Sequence, residues 1–198
     1  MPPSDVTTRE RIQQVALEMF TERGYDGTSL REIAEQLGFT KAALYYHFKS
    51  KDAILLSLMT ELKDAIEKLV TWGQEQPFSA DFQREMIGRL ADLMYGEASH
   101  IVRLLQENQP VIRSITAEAA QRDGHAAPEP GAWVFELLKI LTPPDANLYT
   151  RTRVRTAVMA IVFGSFATQR LDGDLAVDPE DQKQASLTVA QELLGAAQ

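Results

Sequence analysis

Apolar residues recur every three or four positions along almost the whole chain, and the two-residue alternation of β-strands is almost absent. This spacing is typical of amphipathic helices, because one helical turn takes about 3.6 residues. The first helix is predicted over residues 8–23. The capping-box pattern Thr7-Thr8-Arg9-Glu10 marks its start, and Gly24, which can adopt a left-handed conformation, marks its end. The pattern predicts an all-α chain.

Two short helices follow the first one and are separated by a very short turn. The earlier helix begins at a second capping box, Ser29-Leu30-Arg31-Glu32, and ends at Gly38. Thr40 can cap the later helix, in which Leu44 and Phe48 lie one turn apart and should face the core. Two helices joined in this way form a helix-turn-helix. With the first helix they make a small N-terminal domain, which we place at residues 1–52.

The remainder of the chain, residues 53–198, is predicted to form a larger helical domain. A long fourth helix begins at Ser50-Lys51-Asp52 with almost no linker after the third. We expect helix breaks at Pro110, in the loop 123–131 and at Pro143-Pro144. The predicted helices of this domain cover residues 51–75, 80–95, 98–106, 111–121, 133–141, 148–171 and 180–194.

Composition and charge restrict the classes of protein to consider. The chain has 198 residues, 44% apolar residues and no cysteine, so it can bury a core but has neither disulfides nor thiolate metal ligands. Its start lacks the features of a signal peptide, and its longest largely apolar run, residues 157–167, is shorter than the roughly 20 residues of a membrane span. We therefore expect a cytoplasmic protein without a membrane segment.

The net charge of −8 is unevenly distributed along the chain. Residues 1–52 hold seven Lys/Arg and eight Asp/Glu residues, and no acid occurs from Gln36 to Ser50. Lys41, Lys49 and Lys51 lie in or beside this window, together with two tyrosines and a histidine. A local basic face suited to phosphate groups can therefore exist on an acidic protein.

Residues 8–58 contain, in this order, Ala16 to Phe20, Gly24-Tyr25-Asp26-Gly27-Thr28-Ser29, Arg31-Glu32-Ile33-Ala34, Gly38 and Leu44-Tyr45-Tyr46-His47-Phe48-Lys49-Ser50-Lys51. With these elements they resemble the DNA-binding domain of the tetracycline-repressor (TetR) family of transcriptional regulators. So many matches in one order, over about a quarter of the chain, form a specific signal. Phe39 stands where a small aliphatic residue is commoner, which should cost nothing if its ring packs under the turn.

The resemblance implies a set of DNA contacts on the second and third helices. It places Thr28, Thr40, Tyr45, His47 and Lys51 on the DNA backbone. The base-reading positions it implies are Lys41, Ala42, Ala43 and Tyr46. A lysine can donate to guanine O6 and N7, whereas alanines can only touch thymine methyl groups, so we expect modest base readout and appreciable help from DNA shape.

Each of these residues also has a purely structural interpretation. Tyr45 or Tyr46 could pack on the fourth helix, and His47 could brace the start of that helix. Thr28, Ser29 and Thr40 are helix caps whatever else they do. These alternatives remain open from the sequence.

The resemblance further implies a homodimer through the last two helices and a small-molecule effector in the helical core. An apolar or aromatic effector is the default expectation, because pockets are mostly apolar. The alternative is that the candidate residues named next form an ordinary core and that the last two helices pack within one chain. The candidate ligand-binding residues are Trp72, Phe82, Met86, Met94, Arg103, Trp133, Met159 and Phe163.

No enzyme, metal site or cofactor is predicted. Glu97-Ala98-Ser99-His100 has the Glu-x-x-His step of a di-iron bundle, but such a site needs two of them. His47, His100 and His125 are scattered. The resemblance therefore implies a homodimeric, ligand-released repressor that binds a near-palindromic double-stranded operator, and the alternative is a helical ligand carrier or interaction module that does not bind DNA.

Overall fold

The computed structural model describes residues 7–96, 98–123, 132–171 and 177–195, without the side chains of 106, 119–123, 132 and 165–171. Within these ranges the chain forms ten helices and no strand, which confirms the predicted all-α class. The helices are α1 (Thr8–Arg23), α2 (Leu30–Gln36), α3 (Lys41–His47), α4 (Lys51–Gln74), α5 (Ala80–Tyr95), α6 (Ser99–Glu107), α7 (Gln109–Asp123), α8 (Ala132–Leu141), α9 (Leu148–Leu171) and α10 (Pro179–Gly195).

Helix ends follow the local sequence signals closely. Thr7 and Glu10 form the predicted capping box of α1, and Ser29 and Glu32 form that of α2. The break predicted at Pro110 is present but lies two residues earlier, at Asn108, and Pro110 itself stands in the first turn of α7. Proline is tolerated there because the first turn of a helix has no partner for its backbone N–H groups.

The chain divides into two compact units. The first unit comprises residues 1–62 and 100–127, so it contains α1 to α3, the first half of α4, and α6 and α7. Its core combines buried residues of the first four helices with Ile101, Leu104 and Ile112 of α6 and α7. Each of these buried side chains stabilises the folded unit by about 1.5–3 kcal/mol relative to an exposed one. α6 and α7 therefore stabilise the unit that contains α3.

The second unit comprises residues 63–99 and 128–198. Within it α9 packs against α5, α8 and α10, and α5 also packs against α10. Gly164 lies at a close approach, since a Cβ at this position would come within 2.5 Å of the hydroxyl oxygens of Tyr95 and Ser186. The predicted division at residue 52 describes a functional boundary, which the compact units do not test, and it stays a prediction.

Candidate nucleic-acid interface

α3 separates a buried face from an exposed face. Leu44 is fully buried and Phe48 is nearly so, because both fill the core of the first unit. Tyr46 keeps 80% of its surface exposed, so it does not pack on α4. The exposed side chains of the helix are those of Lys41, Ala42, Ala43 and Tyr46.

Tyr45 and His47 flank this exposed face and are half-buried. The Lys41 Nζ atom lies 5.4 Å from the centroid of the Tyr45 ring. The His47 ring meets the Tyr46 ring edge to face, with centroids 5.2 Å apart. The exposed face and these two residues, which we call the α3 surface (Lys41, Ala42, Ala43, Tyr45, Tyr46 and His47), therefore bring together six of the nine predicted DNA-binding residues.

The end of α3 is held against α1 by an arginine that the sequence analysis did not identify. Arg9 donates from Nη1 to the backbone oxygen of His47 at 3.2 Å, and its Cζ lies 4.1 Å above the Phe48 ring. The contact fixes the direction in which α3 leaves the core. Arg9 lies inside the predicted first helix, but no local pattern relates it to residues almost forty positions later.

The turn before α3 uses a glycine and a cap. Gly38 has a φ of +68°, which favours glycine, and the backbone N–H of Phe39 donates to Ala34 at 2.8 Å. The Thr40 hydroxyl then accepts from the backbone N–H of Ala43 at 3.2 Å, so its capping role is real. The Phe39 ring is half-buried and packs against the core. Thr40 remains exposed beside the α3 surface.

Thr28 occupies a different environment from the other predicted contact residues. Only 3% of its surface is exposed, and its hydroxyl donates to the backbone oxygens of Met19 at 3.2 Å and Gly24 at 3.0 Å. These bonds tie the segment before α2 to the end of α1. The hydroxyl donor is therefore engaged inside the protein, and any contact of Thr28 with a phosphate stays a prediction.

Lys51 and Asp52 at the start of α4 hold Tyr25 between them. The Lys51 Nζ atom donates to the backbone oxygen of Tyr25 at 2.6 Å and lies 4.0 Å above its ring, while the Tyr25 hydroxyl donates to Asp52. Burial, followed by the Asp52 carboxylate, raises the pKa of Tyr25 well above its usual range. Lys51 thus has a structural task that the sequence did not show, in addition to its predicted contact with the DNA backbone.

Acidic groups near the α3 surface are already engaged elsewhere. Glu35 of α2 pairs with Arg31 at 2.7 Å. Glu32 accepts from the Ser29 hydroxyl and backbone N–H, and these bonds lower the pKa of Glu32. α3 itself contains no acid. The arrangement leaves a local surface of cationic and aromatic groups that can meet phosphates and base edges.

The candidate effector residues do not form one group. Phe82, Met86 and Met94 are 6%, 0% and 1% exposed and form part of the buried core of α5, as in the ordinary-core alternative. Trp72 is half-buried, with its ring centroid 6.0 Å from that of Phe82 and 4.0 Å from the Cζ of Arg89. Their assignment to an effector site stays a prediction.

The other four candidates are dispersed. Arg103 is half-buried and belongs to the first unit, whereas the other candidates belong to the second. Trp133 and Met159 are half-buried, and Phe163 is 51% exposed on α9. Two clefts stand out in the part of the chain that the structure describes, and of all the candidates only Trp72 lines either of them.

α9 and α10, the predicted dimer helices, combine contacts within the chain with exposed apolar groups. The Tyr95 hydroxyl donates to Ser186 at 2.7 Å, and Gln182 donates to the backbone oxygen of Gly164 at 2.6 Å, which joins α10 to α5 and α9. Phe163 and Val189 are about half exposed. Gly164 therefore serves packing within one chain, and the exposed pair leaves an apolar surface on the same two helices.

The described ranges also bear on membrane spans and on metal sites. None of the helices there is both long and apolar enough to cross a membrane. No group of three or more His, Cys, Asp or Glu side chains is placed to hold a metal ion among the residues searched. Glu97 and His125, considered above as candidate metal ligands, lie outside the described residues, as does most of the loop 123–131.

A capped α2, a tight turn at Gly38 and an outward-facing α3 define a helix-turn-helix protein. The family model of bacterial regulatory proteins of the tetR family matches residues 12–58, which include α2, α3 and the start of α4. This N-terminal segment is therefore similar to the bacterial regulatory proteins of the tetR family.

Curated relatives match part of the chain. The HTH-type transcriptional regulator YerO of Bacillus subtilis is 45% identical over 108 residues, which cover 50% of this chain and 36% of that protein. The biofilm operon icaADBC HTH-type negative transcriptional regulator IcaR of Staphylococcus aureus is 35% identical over 68 residues, 34% of this chain and 37% of that protein. The chain therefore spans little more than a third of these curated relatives.

Solved structures match over almost the full length at low identity. AmtR of Mycobacterium smegmatis has a TM-score of 0.68 with 22% identity, covering 100% of this chain and 90% of that one. FadR of Bacillus subtilis, solved in complex with stearoyl-CoA, has a TM-score of 0.59 with 18% identity, covering 95% and 98%. At these identities the similarity establishes the fold.

Proposed function

We propose that the protein is a cytoplasmic, homodimeric transcriptional regulator that binds a near-palindromic DNA operator and is released from it by a small-molecule effector. One observation carries the DNA-binding part: the α3 surface is largely exposed and free of acid, while Leu44 of α3 and Phe48 directly after it are buried. A side chain as large and as exposed as Tyr46 is explained by a partner that stacks on it or accepts a hydrogen bond from it.

The contacts divide into two classes in this proposal. Lys41 and Tyr46, with Ala42 and Ala43 between or beside them, face the base edges of the major groove. Thr40, Tyr45, His47 and Lys51 contact the DNA backbone and set the position of the helix. Thr28 supports the interface indirectly, because its hydroxyl already binds two backbone oxygens inside the domain.

The dimer is proposed to form through α9 and α10. The apolar surfaces of Phe163 and Val189, about half exposed in one chain, support a partner at this face. A two-fold dimer would place its two α3 helices on half-sites about 34–36 Å, or a multiple of this, apart. The support for negative regulation is the similarity to IcaR, which is named a negative regulator.

Effector release is proposed to act through α4. Only three residues, Phe48 to Ser50, separate α3 from α4, so a tilt of α4 would be transmitted to α3 and not absorbed by a linker. An effector that binds more tightly to the tilted dimer would shift the population to a state in which the two α3 helices no longer match the half-sites. The complex of FadR with stearoyl-CoA shows that a protein of the same fold binds a small molecule.

The test is binding of the purified protein to a randomised duplex library, followed by titration of recovered sequences across a salt series. A palindrome bound by a dimer, with an affinity that falls steeply with salt, is expected. The variant Lys41→Ala removes a proposed DNA contact, and Lys49→Ala is its matched control. Lys49 is an exposed lysine next to the α3 surface, but its Nζ donates to the backbone oxygen of Tyr45 at 2.8 Å. Failure to recover any sequence at low salt would favour the ligand carrier or interaction module.

A further inference from the structure

A cleft of about 720 Å³ lies in the second unit where α8 ends and α9 begins. Its volume falls within the roughly 300–1,000 Å³ of small-molecule sites. The cleft is lined by residues that were not among the effector candidates. They are Phe135, Leu138, Lys139, Thr142, Pro143, Pro144, Arg151 and Arg155.

The lining combines an apolar wall with three cationic side chains and no acidic one. Lys139 pairs with Glu136 outside the lining at 2.6 Å, so part of its charge is neutralised. Arg151 donates from Nε to the backbone oxygen of Ala146 at 2.9 Å, which leaves its other guanidinium donors available. Arg155 has no ion-pair or hydrogen-bond partner among the residues that the structure describes.

Helix stability does not account for these arginines. Arg151 lies in the first turn of α9, where the helix dipole disfavours a cation, and that turn has no acid to offset it. No acid occurs between Ala146 and Leu171, although the whole protein has a net charge of −8. The placement concentrates positive charge at this cleft against both the local helix preference and the overall composition.

The apolar wall also has a feature that packing within the unit leaves unexplained. Phe135 is 63% exposed, although α8 buries Leu137 and Leu141 completely. The ring and the prolines after α8 form an apolar surface next to the two guanidinium groups. A molecule with an apolar body and an anionic head would cover the ring and pair with the arginines at the same time.

We propose that this cleft binds a small organic anion with an apolar body, such as a carboxylate on an aliphatic or aromatic skeleton. The arginines contact the anionic group, and Phe135 with Leu138 and the prolines contacts the body. The second cleft of the unit, about 490 Å³, supplies the contrast, because Asp64, Glu67 and Glu75 line it with a single lysine. Charge therefore directs an anion to the first cleft.

The site does not depend on the proposed DNA binding, and its test contains no DNA. The protein is titrated with 8-anilinonaphthalene-1-sulfonate, an amphipathic anion, and with N-phenyl-1-naphthylamine, which has nearly the same aromatic body without the charge. Decanoate and decanol serve as the corresponding pair of competitors. The variants are Arg151→Gln/Arg155→Gln, Phe135→Ala and the control Arg84→Gln, whose exposed side chain pairs with Asp81 on α5, outside the cleft.

The expected result is one sulfonate probe bound per chain, displaced by decanoate more strongly than by decanol. Each exposed charge contact contributes up to a factor of about five, so the double arginine variant should weaken sulfonate binding about tenfold. It should leave the affinity for the neutral probe unchanged. Phe135→Ala should weaken the binding of both probes, whereas Arg84→Gln should weaken the binding of neither. Circular dichroism and thermal melting check that each variant is folded.

Two outcomes would overturn the proposal. One is equal sulfonate affinity for the wild type and the folded double arginine variant, and the other is an equal loss in Arg84→Gln. Failure of either kind leaves operator binding untouched, and loss of operator binding in the library experiment leaves this result standing. The two proposals can therefore fail separately.

Discussion

Replacing Lys41, Lys49 and Lys51 one at a time by alanine separates DNA contact from support of the domain. The three lysines lie within eleven positions but have different surroundings. The Lys41 Nζ lies 5.4 Å from the centroid of the Tyr45 ring, while the Lys49 and Lys51 Nζ atoms each donate to a tyrosine backbone oxygen. Lys49 is exposed and Lys51 is half-buried. The same substitution therefore removes different interactions at each position.

Lys51→Ala should lower the free energy of unfolding by about 1–2 kcal/mol. A hydrogen bond from a charged donor contributes about 1.5–3 kcal/mol, and partial exposure places this one at the low end. The cation above the Tyr25 ring adds about 0.5–1 kcal/mol, and the two terms overlap because one ammonium group makes both contacts. Lys41→Ala and Lys49→Ala should remain within about 0.5 kcal/mol of the wild type.

The assay pairs urea unfolding, followed by circular dichroism, with operator titrations across a salt series. Lys41→Ala should weaken operator binding by about 1–3 kcal/mol through lost base contact, at unchanged stability. Lys51→Ala should reduce the salt slope by about 1, in addition to its loss of stability. An unchanged unfolding curve for Lys51→Ala would refute the structural role of Lys51, and an unchanged salt slope would remove it from the phosphate contacts.

Three further predictions concern other parts of the fold. Gly164→Ala should lower the free energy of unfolding by about 1–2 kcal/mol, because steric crowding costs about 1–3 kcal/mol and the gain in helix propensity is only about 1 kcal/mol. In a double-mutant cycle, Tyr95→Phe should relieve much of this loss, because it removes one of the two crowded hydroxyl groups. Because the pKa of Tyr25 is raised in the folded state, the stabilisation that this tyrosine provides is present below about pH 10 and is lost above it. In urea titrations at alkaline pH, the free energy of unfolding should therefore fall less steeply with pH for Tyr25→Phe than for the wild type. Arg153 is 7% exposed, and its Nη2 atom has no hydrogen-bond partner in the described part of the chain. Arg153→Met should therefore raise the melting temperature, and a lower melting temperature would contradict this argument.

Local signals were sufficient to predict most of the helices. The predicted ranges 8–23, 80–95 and 148–171 match α1, α5 and α9, because caps and apolar spacing act within a few residues. The break expected at Pro110 lies two residues earlier for the same reason. The local sequence marks a proline as a break, but whether it ends one helix or begins the next depends on where the preceding helix stops.

The candidate DNA interface was predictable in outline but not in the role of each residue. Tyr45 and Tyr46 are adjacent and chemically identical, and only their burial in the fold separates a half-buried side chain from one that is 80% exposed. The bond from Lys51 to Tyr25 spans 26 positions, and no sequence period connects residues so far apart. Periodicity specifies which face of a helix is buried, but not which distant backbone oxygen a surface lysine reaches.

The effector residues were the least predictable, because bulky apolar side chains serve equally well as core and as pocket lining. Phe82, Met86 and Met94 were chosen for their size and spacing, and all three are buried in α5. The cleft beside Phe135 depends instead on where α8 stops and on the direction in which α9 starts. Arg151 and Arg155 face the cleft together because they are four residues apart on one helix, but their position opposite Phe135 is set by the intervening chain. A search for buried aromatic stripes therefore finds the core, whereas exposed aromatic and unpaired cationic side chains that meet across a helix connection indicate where a ligand can bind.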